Sequence, residues 1–206
     1  MMILAGPANT QLGARIAELL QRPLVQYEAA RFPDGETQIE LHDDVRDRHI
    51  CVIQPTSPPV DRHLIELRLL ADACTRAGAA RITGVVPYFG YARQDRREGR
   101  QSLGGRVAAD VVSNAGFDRL IIVDAHSRAL EGFLNTPVEH LSAVHVLAEA
   151  ARPFVSPDAV VVSPDYGGVK RVREFARALG LPAAYVEKLR LSGHEVEAQS
   201  VFGDIR

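Results

Sequence analysis

The feature that most restricts the fold is an alternation. Short apolar runs rich in β-branched residues are separated by segments whose apolar side chains recur every three or four positions, and this continues along nearly all 206 residues. Residues 3–5, 50–54, 82–86 and 120–123 read as strands. Between them, Asn9 or Thr10 can cap a helix to residue 20 with Leu12, Ile16 and Leu19 on one face, and Leu64, Leu67, Leu70, Ala71 and Cys74 trace a second stripe. Gly104 and Gly105 open a third helix. Strand, helix, strand in this order argues for an α/β fold with a mostly parallel sheet and helices on both faces. Ligands of such sheets sit outside the carboxyl ends of the strands.

Two stretches break the rhythm. Residues 24–28 read as a strand followed by the turn Phe32-Pro33-Asp34-Gly35, after which Thr37, Ile39 and Leu41 alternate with polar residues, a hairpin-like edge. Turn chemistry explains Pro-Asp-Gly but gives Phe32 no task. Residues 130–141 read as irregular, and a domain boundary falls at 141–143, giving domains 1–142 and 143–206. The second holds a helix at 144–150, a strand at 159–162, the turn Ser163-Pro164-Asp165-Tyr166-Gly167-Gly168, and a helix carrying Val169, Val172, Phe175, Ala176 and Leu179. A strand at 183–186 then leads to Lys188 and Arg190, read as leaving the strand end in a turn, and 195–202 alternates as a last strand. A further βα unit is expected after it, so the second domain reads as incomplete.

The most suggestive stretch is VVPYFGYARQDRR, residues 85–97. A buried strand fixes where its loop begins, and Arg93, Gln94, Arg96 and Arg97 then offer planar donors around one carboxylate, Asp95. Either this is a solvated basic loop or it grips a polyphosphate. The Asp165 turn offers outward amides at a helix N-terminus and one hard-cation ligand, or it is a plain turn. A net charge of −2 removes a general polyelectrolyte argument for nucleic acid, and no stacking series accompanies Arg93 to Arg106. Apolar content of 46% with no 18-residue apolar run argues against a membrane protein. The start, MMILAGPANT, lacks a basic n-region, so the expected compartment is the cytoplasm, where Cys51 and Cys74 stay reduced as small hydrophobes.

Five strings in order, RFPDGE, VVPYFGYARQDRR, IIVDAHS, VVVSPDYGGVKRVREFA and VEKLRLSGHEVEAQSVFGDIR, resemble ribose-phosphate pyrophosphokinases. The resemblance implies two phosphoribosyltransferase-like domains and transfer of the diphosphoryl group of MgATP to the 1-hydroxyl of ribose 5-phosphate, giving PRPP and AMP. It implies a homo-oligomer, commonly a hexamer, with ATP bound across a subunit interface, and magnesium as the cofactor. Carried over by position, Phe32, Asp34, Gly35 and Glu36 fall on the ATP-binding segment, with Phe32 stacking on adenine of a neighbouring subunit. Arg93 and Gln94 fall on the ATP-binding pair, and His126 and Asp165 on the magnesium ligands. Lys188 and Arg190 fall on the catalytic lysine and its arginine partner on a mobile loop, Arg190 also facing ribose 5-phosphate.

Three departures accompany the match. Ala125 stands where the family usually has a larger apolar residue, and residues 100–105 differ from the usual sequence after the basic loop. The family's ribose-5-phosphate loop, an Asp-Asp pair before a Thr-Gly-rich turn, has no counterpart in these 206 residues and would begin beyond Arg206. The expectation is therefore an enzyme whose 206 residues are inactive alone, or else a catalytically silent subunit associated with a full-length enzyme.

Overall fold

The computed structural model describes residues 1–97, 99–190 and 196–203, with backbone alone at Arg128, 188–190 and 196–199. The chain forms two compact units, Met1–Leu141 and Ser142–Arg206.

In the first unit the elements run β1 (Met2–Ala5), α1 (Thr10–Leu20), β2 (Tyr27–Arg31), β3 (Thr37–Leu41), β4 (His49–Ile53), α2 (Val60–Arg76), β5 (Arg81–Val86), α3 (Gly104–Ser113), β6 (Arg119–Val123) and β7 (Val138–Leu141). Five of these strands build one all-parallel sheet in the order β1-β4-β5-β6-β7. Because successive side chains in a strand point to opposite faces, each strand feeds two cores. Leu4, Ile50, Val52, Leu120 and Ile122 join the stripe Leu64, Leu67, Leu70, Ala71 and Cys74 of α2 in the main core. Ile3 and Ile53 point the other way, toward Ala17 of α1. Helices thus cover both faces, as the alternation requires. Leu67 and Leu70 are fully buried, and each contributes about 1.5–3 kcal/mol through apolar burial.

The caps match the sequence. The Asn9 carbonyl oxygen of the side chain accepts the Leu12 N–H at 3.0 Å to start α1. Asp61 lies in the first turn of α2, where its charge complements the helix dipole. Differences from the sequence reading have local causes. Leu24 makes only a lone parallel bridge to Ile3, and Pro23 has no N–H with which to extend that edge, so the hairpin strand begins later, at Tyr27. The stretch 130–141 is not irregular: a 3-10 turn at Arg128–Phe133 precedes β7, whose four residues complete the sheet edge beside β6. Four residues are too few for their alternation to stand out. No helix among the described residues is long and apolar enough to cross a membrane.

The second unit contains α4 (Val144–Ala151), β8 (Val161–Ser163), a 3-10 turn at Tyr166–Gly168, α5 (Val169–Leu179), β9 (Ala183–Arg190) and β10 (Val196–Gly203). β8 and β9 pair in parallel and β9 and β10 antiparallel, with a bulge between Ala198 and Ser200. The strand read as ending at residue 186 continues to Arg190, because β10 supplies main-chain partners that make the polar 187–190 sequence tolerable in an edge ladder. Lys188 and Arg190 therefore sit in strand backbone rather than in the turn expected from sequence. The Tyr185 ring stacks on Phe202 at 5.3 Å and meets Tyr166 edge-on at 6.0 Å. Ser192, Gly193 and His194, like Asp204 to Arg206, lie outside the described residues.

Candidate functional site

The carboxyl edge of the first unit's sheet is where its loops converge, and buried polar side chains tie those loops together. Gln54, fully buried at the end of β4, accepts the Ala8 N–H at 3.1 Å on its Oε1 and donates from Nε2 to Glu66 Oε2 at 3.3 Å. Glu66, 1% exposed in α2, also accepts from Arg62 Nε at 2.6 Å. Thr56, fully buried, accepts the Gly90 N–H at 2.7 Å and donates its hydroxyl to the Tyr88 carbonyl at 3.0 Å. The loops after β1, β4 and β5 are thereby held as one polar layer. Tyr27 donates to the Ala5 carbonyl at 2.8 Å and its phenol is pushed up to about 12, first by burial and then by the nearby Glu66 charge.

Arg93 and Gln94 follow on the loop from β5. Tyr91 adopts the left-handed backbone region, φ 63°, and its hydroxyl donates to the Asp61 carboxylate. That hydrogen bond holds the Tyr91 phenol above the usual tyrosine range. The Gln94 N–H donates to the Tyr91 carbonyl at 2.9 Å, and the Gly105 N–H donates to the Gln94 carbonyl at 3.0 Å. A Cβ at Gly104 would collide with the Gln94 amide and stand 2.9 Å from the Tyr91 ring, and one at Gly105 would stand 2.9 Å from the Gln94 carbonyl oxygen. Paired glycines at the start of α3 are thus a close-approach requirement. Both Arg93 and Gln94 are exposed, and the Arg93 guanidinium makes no ion pair or hydrogen bond with any described residue. An exposed guanidinium fork without a partner among the described residues, beside an amide, is suited to phosphate oxygens.

His126 leaves the neighbouring strand, β6, after Asp124 at φ 44°. Ala125 packs against the main core, His126 is exposed, and the Ser127 hydroxyl accepts the Ala129 N–H at 3.1 Å. The parallel pairing of β5 with β6 sends the Arg93 and His126 loops out on the same edge. Phe32, Asp34, Gly35 and Glu36 form the tip of the β2–β3 hairpin. The Phe32 N–H donates to the Glu36 carbonyl at 2.9 Å, Asp34 Oδ1 accepts the Glu36 N–H at 3.1 Å, and Gly35 sits at φ 93°. Asp34 and Gly35 are needed by the turn itself, whereas the Phe32 ring, 47% exposed, is not. No hydrogen bond or ion pair among the described residues links this tip to Arg93, Gln94 or His126.

In the second unit Asp165 Oδ1 accepts the Gly168 N–H at 3.0 Å, and the Ser163 hydroxyl donates to the Asp165 carbonyl at 2.7 Å. A Cβ at Gly168 would meet Ser163 Oγ at 2.5 Å, so a side chain there would push that hydroxyl away from the Asp165 carbonyl. The second Asp165 oxygen keeps its acceptor capacity on an exposed residue. Beside the turn lies a groove of about 490 Å³ lined by Tyr166, Lys170, Arg173 and Arg177 with Glu174. No group of three or more His, Cys, Asp or Glu side chains gathers among the described residues. The Asp165 carboxylate is a hard oxygen ligand of the kind magnesium takes alongside waters and phosphate oxygens. Lys188 pairs with Ala198 and Arg190 with Val196 across β9 and β10.

The sequence reading did not single out the residues that fix the loops, namely Gln54, Thr56, Asp61 and Tyr91. Gln54 did leave a trace, a polar residue closing an apolar strand, which calls for a buried partner. The comparisons with known proteins agree with the order of the strings. The family model of the N-terminal domain of ribose phosphate pyrophosphokinase matches residues 1–116. A ribose-phosphate pyrophosphokinase of Rhodopirellula baltica is 40% identical over 98% of this chain and 65% of its own length. The chloroplastic ribose-phosphate pyrophosphokinase 1 of Oryza sativa is 40% identical over 100% of this chain and 53% of its own length. The crystal structure of phosphoribosylpyrophosphate synthetase from Mycobacterium smegmatis superposes with a TM-score of 0.81 at 32% identity, covering 97% of this chain and 66% of that one. The chain thus spans just under two thirds of its bacterial relatives and about half of the rice protein. With its first domain matched by the family model and its fold by a member's crystal structure, the chain belongs to the ribose-phosphate pyrophosphokinase family.

Proposed function

We propose that this chain serves ribose-phosphate diphosphokinase chemistry, moving the diphosphoryl group of ATP onto the 1-hydroxyl of ribose 5-phosphate. The observation that supports this most is the Arg93 and Gln94 turn at the carboxyl edge of the sheet, in which the Gln94 N–H donates to the Tyr91 carbonyl and the Gly105 N–H to the Gln94 carbonyl, while the Arg93 guanidinium has no partner among the described residues. In the transfer the ribose 1-oxygen bonds to the β-phosphorus, the bond from that phosphorus to the α,β-bridging oxygen breaks, and AMP leaves while the hydroxyl proton is released. Such a reaction asks the protein mainly for positioning and for positive charge over oxygens that gain charge.

In this reading Arg93 and Gln94 orient the polyphosphate and Phe32 stacks on the adenine of a neighbouring subunit in a homo-oligomer, a hexamer, with Asp34, Gly35 and Glu36 shaping the tip. Lys188 and Arg190 supply charge as the transition state forms, and Arg190 also faces ribose 5-phosphate. Asp165 would hold magnesium directly and His126 through water, because imidazole nitrogen is a poor ligand for so hard a cation. Held there, magnesium would supply positive charge that offsets the charge of the phosphate oxygens. The compartment we propose is the cytoplasm, with neither nucleic acid nor membrane as a partner.

The test is a coupled assay of AMP release on the gene product containing these residues. AMP should appear only with both ATP and ribose 5-phosphate, and Lys188→Ala should lower kcat at least a hundredfold while the KM for ATP stays within about threefold, as for a contact made mainly in the transition state. Release of ADP instead of AMP, or AMP formation independent of ribose 5-phosphate, would refute the proposal.

A further inference from the structure

We propose that Tyr91 and Asp61 are a positioning pair: the phenol latches the Arg93 and Gln94 turn to the N-terminus of α2 and so sets the geometry in which that turn meets polyphosphate. The inference rests on the reading of Arg93 and Gln94 as phosphate ligands and adds residues to it. Three observations carry it. First, Tyr91 holds a left-handed backbone, φ 63°, that a bulky side chain adopts only when its surroundings compel it, and such conformations gather at working sites. Second, its ring packs against the main core while its hydroxyl reaches out to the exposed Asp61 in the first turn of α2. Third, the carbonyl of Tyr91 is the acceptor for the Gln94 N–H at 2.9 Å, so a rotation of Tyr91 is passed to Gln94 within one hydrogen bond.

The neighbouring contacts leave the phenol a distinct role. Gly90 is fixed independently by Thr56 at 2.7 Å, and Gly105 holds the Gln94 carbonyl from the α3 side at 3.0 Å. Between these two anchors the Tyr91 hydroxyl is the one side-chain hydrogen bond recorded for residues 91–94 among the described residues. Removing it leaves the loop attached at both ends but free to rotate at the residue that aims Arg93. Tyr91 touches no phosphate in this scheme. It acts through the turn it holds.

The experiment is isothermal titration of ATP, of inorganic tripolyphosphate and of adenosine into wild type, Tyr91→Phe, Asp61→Asn, the double variant and Arg93→Ala, each first checked for unchanged melting. Tyr91→Phe should weaken ATP and tripolyphosphate about tenfold, the scale of one hydrogen bond to a charged group; Asp61→Asn, which keeps an acceptor oxygen without its charge, should weaken them by a smaller factor, and the double variant no more than Tyr91→Phe. Adenosine affinity should be the same in all five. A role in general stability would lower melting or weaken adenosine with ATP, and either result overturns the pair. If Arg93→Ala weakens ATP while Tyr91→Phe does not, the positioning pair alone is refuted. If Arg93→Ala leaves ATP and tripolyphosphate unchanged, the phosphate-ligand reading fails beneath it.

Discussion

Replacing Gly105 by alanine tests the floor of the Arg93 and Gln94 loop. A Cβ there would stand 2.9 Å from the Gln94 carbonyl oxygen, whereas ordinary van der Waals contact begins at 3.4 Å, so the oxygen must withdraw by about half an ångström. It cannot do so freely, because the same carbonyl accepts the Gly105 N–H at 3.0 Å. The Tyr91 carbonyl oxygen at 3.4 Å, already at contact distance, leaves the Cβ no room to move that way instead. Alanine gains up to about 1 kcal/mol over glycine in a helix, while overpacking a close contact costs about 1–3 kcal/mol. The net expectation is a loss of about 1 kcal/mol, which lowers Tm by roughly 2–4 °C for a chain of this size. Because the displaced atoms belong to Gln94, ATP affinity should fall about tenfold, the weight of one misplaced charge-assisted hydrogen bond. Gly132→Ala is the control, since a Cβ there meets nothing within 4 Å, and it should change neither quantity. Calorimetric melting and ATP titration on both variants decide the matter. A Gly105→Ala protein more stable than wild type, with unchanged ATP affinity, would show that the loop does not need the close approach.

Two further outcomes follow from the geometry. Phe32→Ala should weaken ATP by about 1–3 kcal/mol, by analogy with base–aromatic stacking, without lowering Tm, because the ring is 47% exposed; unchanged ATP affinity in a correctly assembled protein would remove Phe32 from the site. Burial pushes the Cys51 thiol up to about 11 and that of Cys74 to about 12 from an ordinary value of 9.0, so the unfolded chain loses these protons first and stability should fall as pH rises from about 9 through 12. Urea midpoints measured across that range should decline less steeply in Cys74→Ala, and an identical slope would exclude the buried thiol as a cause.

Much of the fold was legible because its signals are local. The α2 stripe, the Asn9 cap and the strands β1, β4, β5 and β6 of the first sheet each announce themselves within a dozen residues, and the structure has them within two or three residues of the expected bounds. What was missed depends on a partner elsewhere in the chain. β7 is a strand because β6 lies beside it, and β9 continues through Lys188 and Arg190 because β10 returns along it. The same division holds in the candidate site. Arg93, Gln94, His126 and Asp165 could be named because they follow strands in strings that carry a resemblance. Asp61 and Tyr91 are 30 residues apart and their hydrogen bond leaves no pattern in either neighbourhood.

The two parts of the first unit assigned to nucleotide are held in opposite ways, and the difference bears on how they work. Around the Arg93 loop, Gln54, Thr56 and Glu66 are buried polar groups, each costly to desolvate unless hydrogen-bonded, and each has its partners. An apolar layer of the same shape would serve stability as well. What the polar layer adds is direction, since Gln54 ties the loop after β1 to α2 and Thr56 ties the loop after β4 to the loop after β5, so the backbone that carries Arg93 and Gln94 leaves the sheet from a fixed base. The Phe32 tip has only the hydrogen bonds of its own hairpin. Its half-exposed ring leaves apolar surface available to another flat group. In the proposed reading the two would act across an interface, with the Arg93 loop taking the polyphosphate in one subunit and the Phe32 ring stacking on the base from the next. Assembly and nucleotide binding would then reinforce each other, because each ring that docks buries apolar surface which the isolated chain leaves in water.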